Sequence, residues 1–286
     1  MALVGEFEII ARYFAPLAAG HAGAFGLSDD AAVVRPAEGC EFVVTNDALV
    51  ERVHYRSDDP PRDIARKALR VNLSDLAAMG AVPRFYNLAL ALSPAIDEDW
   101  LAGFAGGLAE DQDRFGLCLI GGDTVSTPGP MMVAVTAMGE VPVGRALRRG
   151  GARDGDRIFV SGTIGDAGAG LGILAGRIAV GDADRARLVE RYRVPSPRTA
   201  LGPALVGLAH AAIDARVIRV CAQRLRRLRR HRGSVPRHGF GKPLEAGQPS
   251  APDGKPGVGE TSERVIELPR DGGVKPVQYH GLRHDQ

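Results

Sequence analysis

The stretch from Pro61 to Pro83 reads PRDIARKALRVNLSDLAAMGAVP. Ile64, Ala65, Ala68, Leu69, Val71, Leu76 and Met79 recur at the helical period, Pro60 and Pro61 open the run, and Gly80 closes it. The spacing predicts a helix over residues 61–79 with one apolar stripe. Asn72 and Asp75 are three apart and share a face. An acid so close to an apolar stripe calls for a compensating group.

Upstream, Ala31 to Val34 and Glu41 to Thr45 are short and Val-rich, separated by Pro36 and Gly39, and predict two strands of a hairpin-like pair with Asp47 just past the second. Glu6 to Leu17 has helical spacing. Downstream, strands are predicted at residues 84–92, 117–120, 131–139 and 157–161. Helices are predicted at 100–115, 185–193 and 200–212, and the Gly- and Ala-rich 164–174 lies between. The alternation indicates an α+β protein. Gly150 to Asp156 is a turn-rich joint, so the expected organisation is a first domain over 1–148 and a second beginning at 149–214. A basic, Gly- and Pro-rich tail, expected to be poorly ordered, follows over 215–286.

Composition limits the function classes. The 286 residues are 45% hydrophobic and 24% charged, enough for one large core or two modest ones. No window is long and apolar enough to span a membrane, so a cytoplasmic location is expected. Cys40, Cys118 and Cys221 form no CxxC pair, and their plainest reading is buried apolar thiols. The net charge of +2 hides an asymmetry: residues 216–286 carry 15 Lys and Arg against 7 Asp and Glu, and the rest 21 against 27. A helix over Val217 to Arg232 with arginines all round would suit nucleic-acid phosphates. It offers no aromatic interleaving, so nucleic acid is the less favoured partner.

The chemistry-bearing candidates are oxygen donors. Asp30 precedes a predicted strand, Thr45, Asn46 and Asp47 end one, Asp75 sits on the helix, and Gly121-Gly122-Asp123-Thr124 follows another strand. Singly, each reads equally as a turn, cap or polar strand end. Together they make a magnesium site plausible, since that ion takes a few carboxylates and completes its shell with water and substrate phosphates. Asp30, Asp47, Asp75 and Asp123 are expected to converge. Paired glycines at 121 and 122 would let backbone amides approach a phosphate, as would the Ser161 to Asp166 turn. No GxxxxGK[ST] sequence is present, so a P-loop is excluded.

In order and spacing, GLSDDAAV (from Gly26), VVTNDALVERVHY (from Val43), RKALRVNLSDLAAMGAVP (from Arg66), GGDTVS (from Gly121), RRGGARDGD (from Arg148) and VSGTIGDAGAGL (from Val160) resemble the thiamine-monophosphate kinase family. That family belongs to the aminoimidazole ribonucleotide synthetase-like superfamily. The resemblance runs from about Gly5 to Asp214 and implies two α+β domains, a homodimer, and ATP-dependent phosphorylation of thiamine phosphate to thiamine diphosphate. It places magnesium on Asp30, Thr45, Asn46, Asp47, Asp75 and Asp123, nucleotide on Gly122, Asp123 and Arg149, and substrate on His54. Ala105 stands where some members carry a nucleotide-contacting tyrosine. No general base is assigned, because the acceptor phosphate is already largely ionised.

The resemblance stops after Asp214, where the family continues with a Ser-Asp-Gly motif and this chain with Ala215-Arg216-Val217. The second domain is therefore expected to be incomplete, and a module that binds magnesium and nucleotide without turnover is the alternative reading. The abrupt switch in composition suggests, as a hypothesis, an altered reading frame. Failure of any single-base change near the Asp214 codon to restore Ser-Asp-Gly, seen on resequencing the gene, would refute it.

Overall fold

The computed structural model describes residues 5–214. The tail over 215–286, with its expected disorder and arginine-rich helix, lies outside them, as does Cys221.

Eleven residues, Cys40–Val50, form β1, and the central helix α2 spans Pro61–Ala78. β2 is Val82–Leu92, α3 is Glu98–Phe115, β3 is Cys118–Ser126 and β4 is Met132–Pro142. The four strands make one sheet in the order β1-β4-β2-β3. β4 runs antiparallel to both neighbours, and β2 and β3 are parallel, joined by α3 as a parallel pair requires. At the start of α3, Asp97 caps the helix by accepting from Trp100 N–H at 2.8 Å, and Gly116 at φ 68° ends it.

One face of the sheet is buried beneath the helices. Leu49, Val133, Val135, Ala137, Tyr86, Leu88, Leu90 and Leu119 point there, against Ala68, Leu69, Leu73, Leu76, Phe104 and Leu108. The period-two alternation of strands turns the intervening residues to the other face. There Val44, Val125 and Met132 are 59%, 50% and 37% exposed. One end of that open face is covered by a small cluster of Ala18, Ala24 and Ile120, flanked by Ala32, Val34, Phe85 and Met138.

The N-terminal helix is one irregular element, with Glu6–Ile9 as α1 running through a π turn over Ile10–Phe14 into a 3-10 turn over Ala15–Ala18. Helices α4 (Asp166–Leu174), α5 (Asp182–Arg193) and α6 (Leu201–Ala204) follow the sheet, and α5 and α6 pack on α2. Arg70 of α2 and Asp111 of α3 form a buried bidentate pair at 2.6 and 2.7 Å, and Arg70 Nη1 donates to the Pro195 carbonyl at 3.0 Å. Arg193 reaches the buried Asp59 at 2.8 Å.

Four local expectations are corrected. Ala31 to Val34 forms no strand: Val33 N–H bonds Gly23 O at 2.8 Å, and β1 pairs instead with β4. Residues 157–161 form no strand either, and the Ser161 carbonyl is taken by Arg198 Nη2 at 2.9 Å. The helix expected over 200–212 stops at Ala204, and the chain turns at Gly207 with φ 85°. Finally, Asp47 and Gly122-Asp123 lie inside β1 and β3 rather than beyond their ends.

Candidate functional site

The strand register divides the expected ligands between the two faces of the sheet. Thr45 and Asp47 share the helix-side face of β1, with Leu49 and opposite Ala137 and Val135. Thr45 Oγ1 donates to Asp75 Oδ2 at 2.9 Å, which supplies the compensation that an acid on this helix needs. Asn46 faces the open side, where its amide donates to Thr136 Oγ1 at 2.7 Å and to the Val135 carbonyl at 3.3 Å. Asp123 pairs with Ala89 on the same open face, and the exposed Asp30 lies in the loop leading to Ala32 and Val34 over that side.

Of the four acids expected to converge, Asp30, Asp47, Asp75 and Asp123, the single chain sets Asp47 and Asp75 on one face of the sheet and Asp123 on the other. Neighbouring strand residues alternate faces, so the sheet itself separates Asp47 and Asp75 from Asp123. Among the described residues, no three His, Cys, Asp or Glu side chains come close enough to hold a cation together.

A cleft of about 770 Å³ opens on the helix side. Thr45, Asp75, Arg148, Arg149, Ala212 and Ile213 are among the residues that line it. Beside it Asp214 Oδ1 approaches Ser74 Oγ at 3.5 Å, one residue from Asp75. The lining depends on close backbone approach, because a Cβ at Gly151 would meet the His210 carbonyl at 2.0 Å. His210 Nδ1 meets Asp156 Oδ1 at 2.7 Å. The Arg153 backbone N–H and then the His210 contact hold the Asp156 carboxyl below its ordinary range.

The donors suit a hard cation. Asp75 and Asp47 bring carboxylates and Thr45 a hydroxyl, all oxygen, and magnesium needs only one or two protein carboxylates when phosphates and water complete its shell. Two arginines lining the same cleft as Asp75 suit a phosphate chain, with Arg able to bind phosphate oxygens bidentately.

Gly122 also has a packing role in the sheet. A Cβ there would lie 1.9 Å from the Leu88 carbonyl, so the glycine is required by the closeness of β2 to β3. Ala105 is 8% exposed in the α2–α3 interface. His54 lies outside the cleft, in the turn after β1. Thr45 and Val50 are five strand residues apart, about 17 Å. In that turn Val50 N–H donates to His54 Nδ1 at 3.0 Å, and Lys67 Nζ donates to the His54 carbonyl at 2.9 Å.

Arg148, Asp214 and Lys67 were not singled out from the sequence. Arg148 had a signal in the Arg148-Arg149 doublet, and Lys67 had one only in being the single lysine among the described residues.

A family described as AIR synthase related protein, N-terminal domain, matches residues 28–141. The chain is 46% identical to the thiamine-monophosphate kinase of Escherichia coli K12 over 212 residues, which cover 73% of this chain and 64% of that protein. A crystal structure of thiamine-monophosphate kinase from Stenotrophomonas maltophilia K279a is 45% identical with a TM-score of 0.60, covering 65% of this chain and 60% of that one. The structure of AaThiL complexed with AMPPCP and TMP is 29% identical with a TM-score of 0.58, covering 65% and 59%. The chain thus spans just under two thirds of the length of these relatives.

Proposed function

We propose that this chain, which belongs to the thiamine-monophosphate kinase family of the aminoimidazole ribonucleotide synthetase-like fold, transfers the γ-phosphoryl group of ATP to thiamine phosphate. The observation that carries the reading is the cleft lined by Asp75, whose carboxylate accepts from Thr45 at 2.9 Å, together with Arg148 and Arg149.

The acceptor oxygen of a phosphate monoester loses its second proton near pH 6, so the reaction needs charge neutralisation and alignment rather than a strong base. Bound magnesium supplies neutralisation of phosphate oxygens. Thr45 fixes the Asp75 carboxylate on the helix side, where Asp47 lies on the same strand face. Arg149, with Arg148 beside it, takes the nucleotide phosphates by electrostatic preorganisation. Asp30, Asn46 and Asp123 are proposed as a second set of oxygen donors on the open face. Gly122 and Asp123 are proposed as nucleotide contacts, and His54, in the turn after β1, as the contact to the acceptor. The exposed Val44, Val125 and Met132 of that face favour a homodimer in which a second copy covers it.

ATP-dependent formation of thiamine diphosphate tests the reading, and no product at high enzyme concentration would sink it. The missing Ser-Asp-Gly motif after Asp214 favours one other reading, a dimeric module that binds magnesium and nucleotide without turnover. Nucleotide affinity that depends on magnesium, without product, would identify it.

A further inference from the structure

The turn carrying His54 is held on every side. Besides the Val50 N–H to His54 Nδ1 bond, His54 N–H donates to the Val50 carbonyl at 2.9 Å and Arg52 N–H to the Tyr55 carbonyl at 2.7 Å. Arg52 itself adopts φ 65°, a left-handed conformation that side-chain-bearing residues seldom take and that persists only where the surroundings enforce it. The remaining constraint comes from α2, where Lys67 Nζ donates to the His54 carbonyl at 2.9 Å and stands 3.8 Å from the centroid of the Tyr192 ring. Tyr192 is 6% exposed on α5, and the adjacent Arg193 ties α5 to Asp59 at 2.8 Å. Asp59 in turn accepts from Arg56 N–H at 2.9 Å, just past the turn.

A lysine ammonium over an aromatic face is attracted by the ring quadrupole, and a charged donor makes a stronger bond to a carbonyl than a neutral one. Burial pushes the Tyr192 hydroxyl up to about 12, so the ring meets the ammonium as a neutral phenol across the neutral range. Lys67 therefore joins three elements: the turn after β1, α2, and α5 from the segment that follows the sheet.

We infer that Lys67 is a positioning residue for His54: its ammonium, braced on Tyr192, fixes the His54 carbonyl and thereby the presentation of the imidazole. The inference rests on the reading of His54 as an acceptor contact. Its consequence is that the seating of α5 on α2 controls acceptor binding at the far end of the helix from the nucleotide cleft.

The test uses the full chain with nitrogen-labelled histidine, the His54 ring signal being assigned by its loss in His54→Ala. Lys67→Met keeps the aliphatic stem and removes the charge. It is expected to shift the His54 ring signal away from the pattern of an accepting Nδ1. It should also weaken thiamine phosphate binding on the order of tenfold, the size found for groups that orient a contacting residue. Magnesium-dependent affinity for ATP should stay unchanged. Lys67→Arg should restore most of both effects, Tyr192→Phe should behave as the parent, and Tyr192→Leu should shift the same signal from the other side of the clamp. A His54 signal unmoved in both Lys67→Met and Tyr192→Leu would overturn the inference, as would ATP affinity falling in step with thiamine phosphate. If the parent chain binds no thiamine phosphate, the substrate reading fails by itself and the ring signal still decides the role of Lys67.

Discussion

Replacing Asp111 by alanine should destabilise the protein strongly. Asp111 is 1% and Arg70 2% exposed, and their two contacts of 2.6 and 2.7 Å make a bidentate pair. Each charge-assisted bond contributes roughly 1.5–3 kcal/mol. Breaking a buried pair from one side costs about 3–5 kcal/mol, because the remaining charge is left uncompensated. Arg66 aggravates the loss, since its Nε lies 3.7 Å from Asp111 Oδ1 and has no hydrogen-bond partner among the described residues. With a transition temperature moving about 2–4 °C per kcal/mol in a chain of this size, Asp111→Ala should melt about 6–20 °C lower. The control is Arg70→Met with Asp111→Leu, which removes both charges. Its cost should fall to about 1–2 kcal/mol, mostly the Pro195 carbonyl left without a donor. Urea unfolding followed by circular dichroism reads both. The reasoning fails if the single variant costs less than about 1 kcal/mol, or if the double variant costs as much as the single.

Asp75→Ala should abolish magnesium-dependent nucleotide binding, measured by calorimetry, with little loss of stability because the residue lines the cleft. Unchanged affinity would remove Asp75 from the site. Gly122→Ala should lower stability by about 1–3 kcal/mol by forcing β2 from β3, and a variant with parental melting temperature would contradict the 1.9 Å approach to Leu88. The Tyr192 hydroxyl is raised from 10.0 to about 12 by burial, so its contribution to stability is fully present below pH 10 and lost as pH rises toward 12. Tyr55 shifts in the same direction for the same reason. Denaturation midpoints measured across that alkaline window should fall, and a flat profile would argue against the burial of both rings. Burial also raises the Cys118 thiol, so alkylation mapped by mass spectrometry should leave it slow at neutral pH.

The helix α2 was legible because one apolar stripe repeats over five turns between clear start and stop signals. β1 was legible only in its first half. Thr45-Asn46-Asp47 reads as a polar strand end, yet the strand continues to Val50, because Leu49 reaches the core and β4 pairs with every residue from Cys40 onward. Its partner was misassigned to the nearby Ala31 to Val34, since local sequence carries no mark of a strand ninety residues downstream. That misassignment also concealed which face of the sheet each candidate ligand occupies. Once Asn46 and Asp47 belong to one strand, alternation alone sends them to opposite faces. Thr45 and Asp75 stand among the oxygen donors that the sequence marks before any resemblance, and their 2.9 Å contact supplies the physical reason for an acid at that helix position. Gly122 shows the converse, a motif residue whose local necessity is strand spacing.

The partners of Arg70 are also ordered in time. On a chain growing from its N-terminus, the carboxylate of Asp111 emerges 41 residues after Arg70, and the Pro195 carbonyl 125 residues after it. The carboxylate partner is thus available to the guanidinium before α5 has left the ribosome, while the acceptor for Nη1 arrives only with the segment after α5. A ribosome that paused between the two events would hold an intermediate with its charges already matched, whereas a pause before Asp111 would leave a lone cation facing a half-built interior.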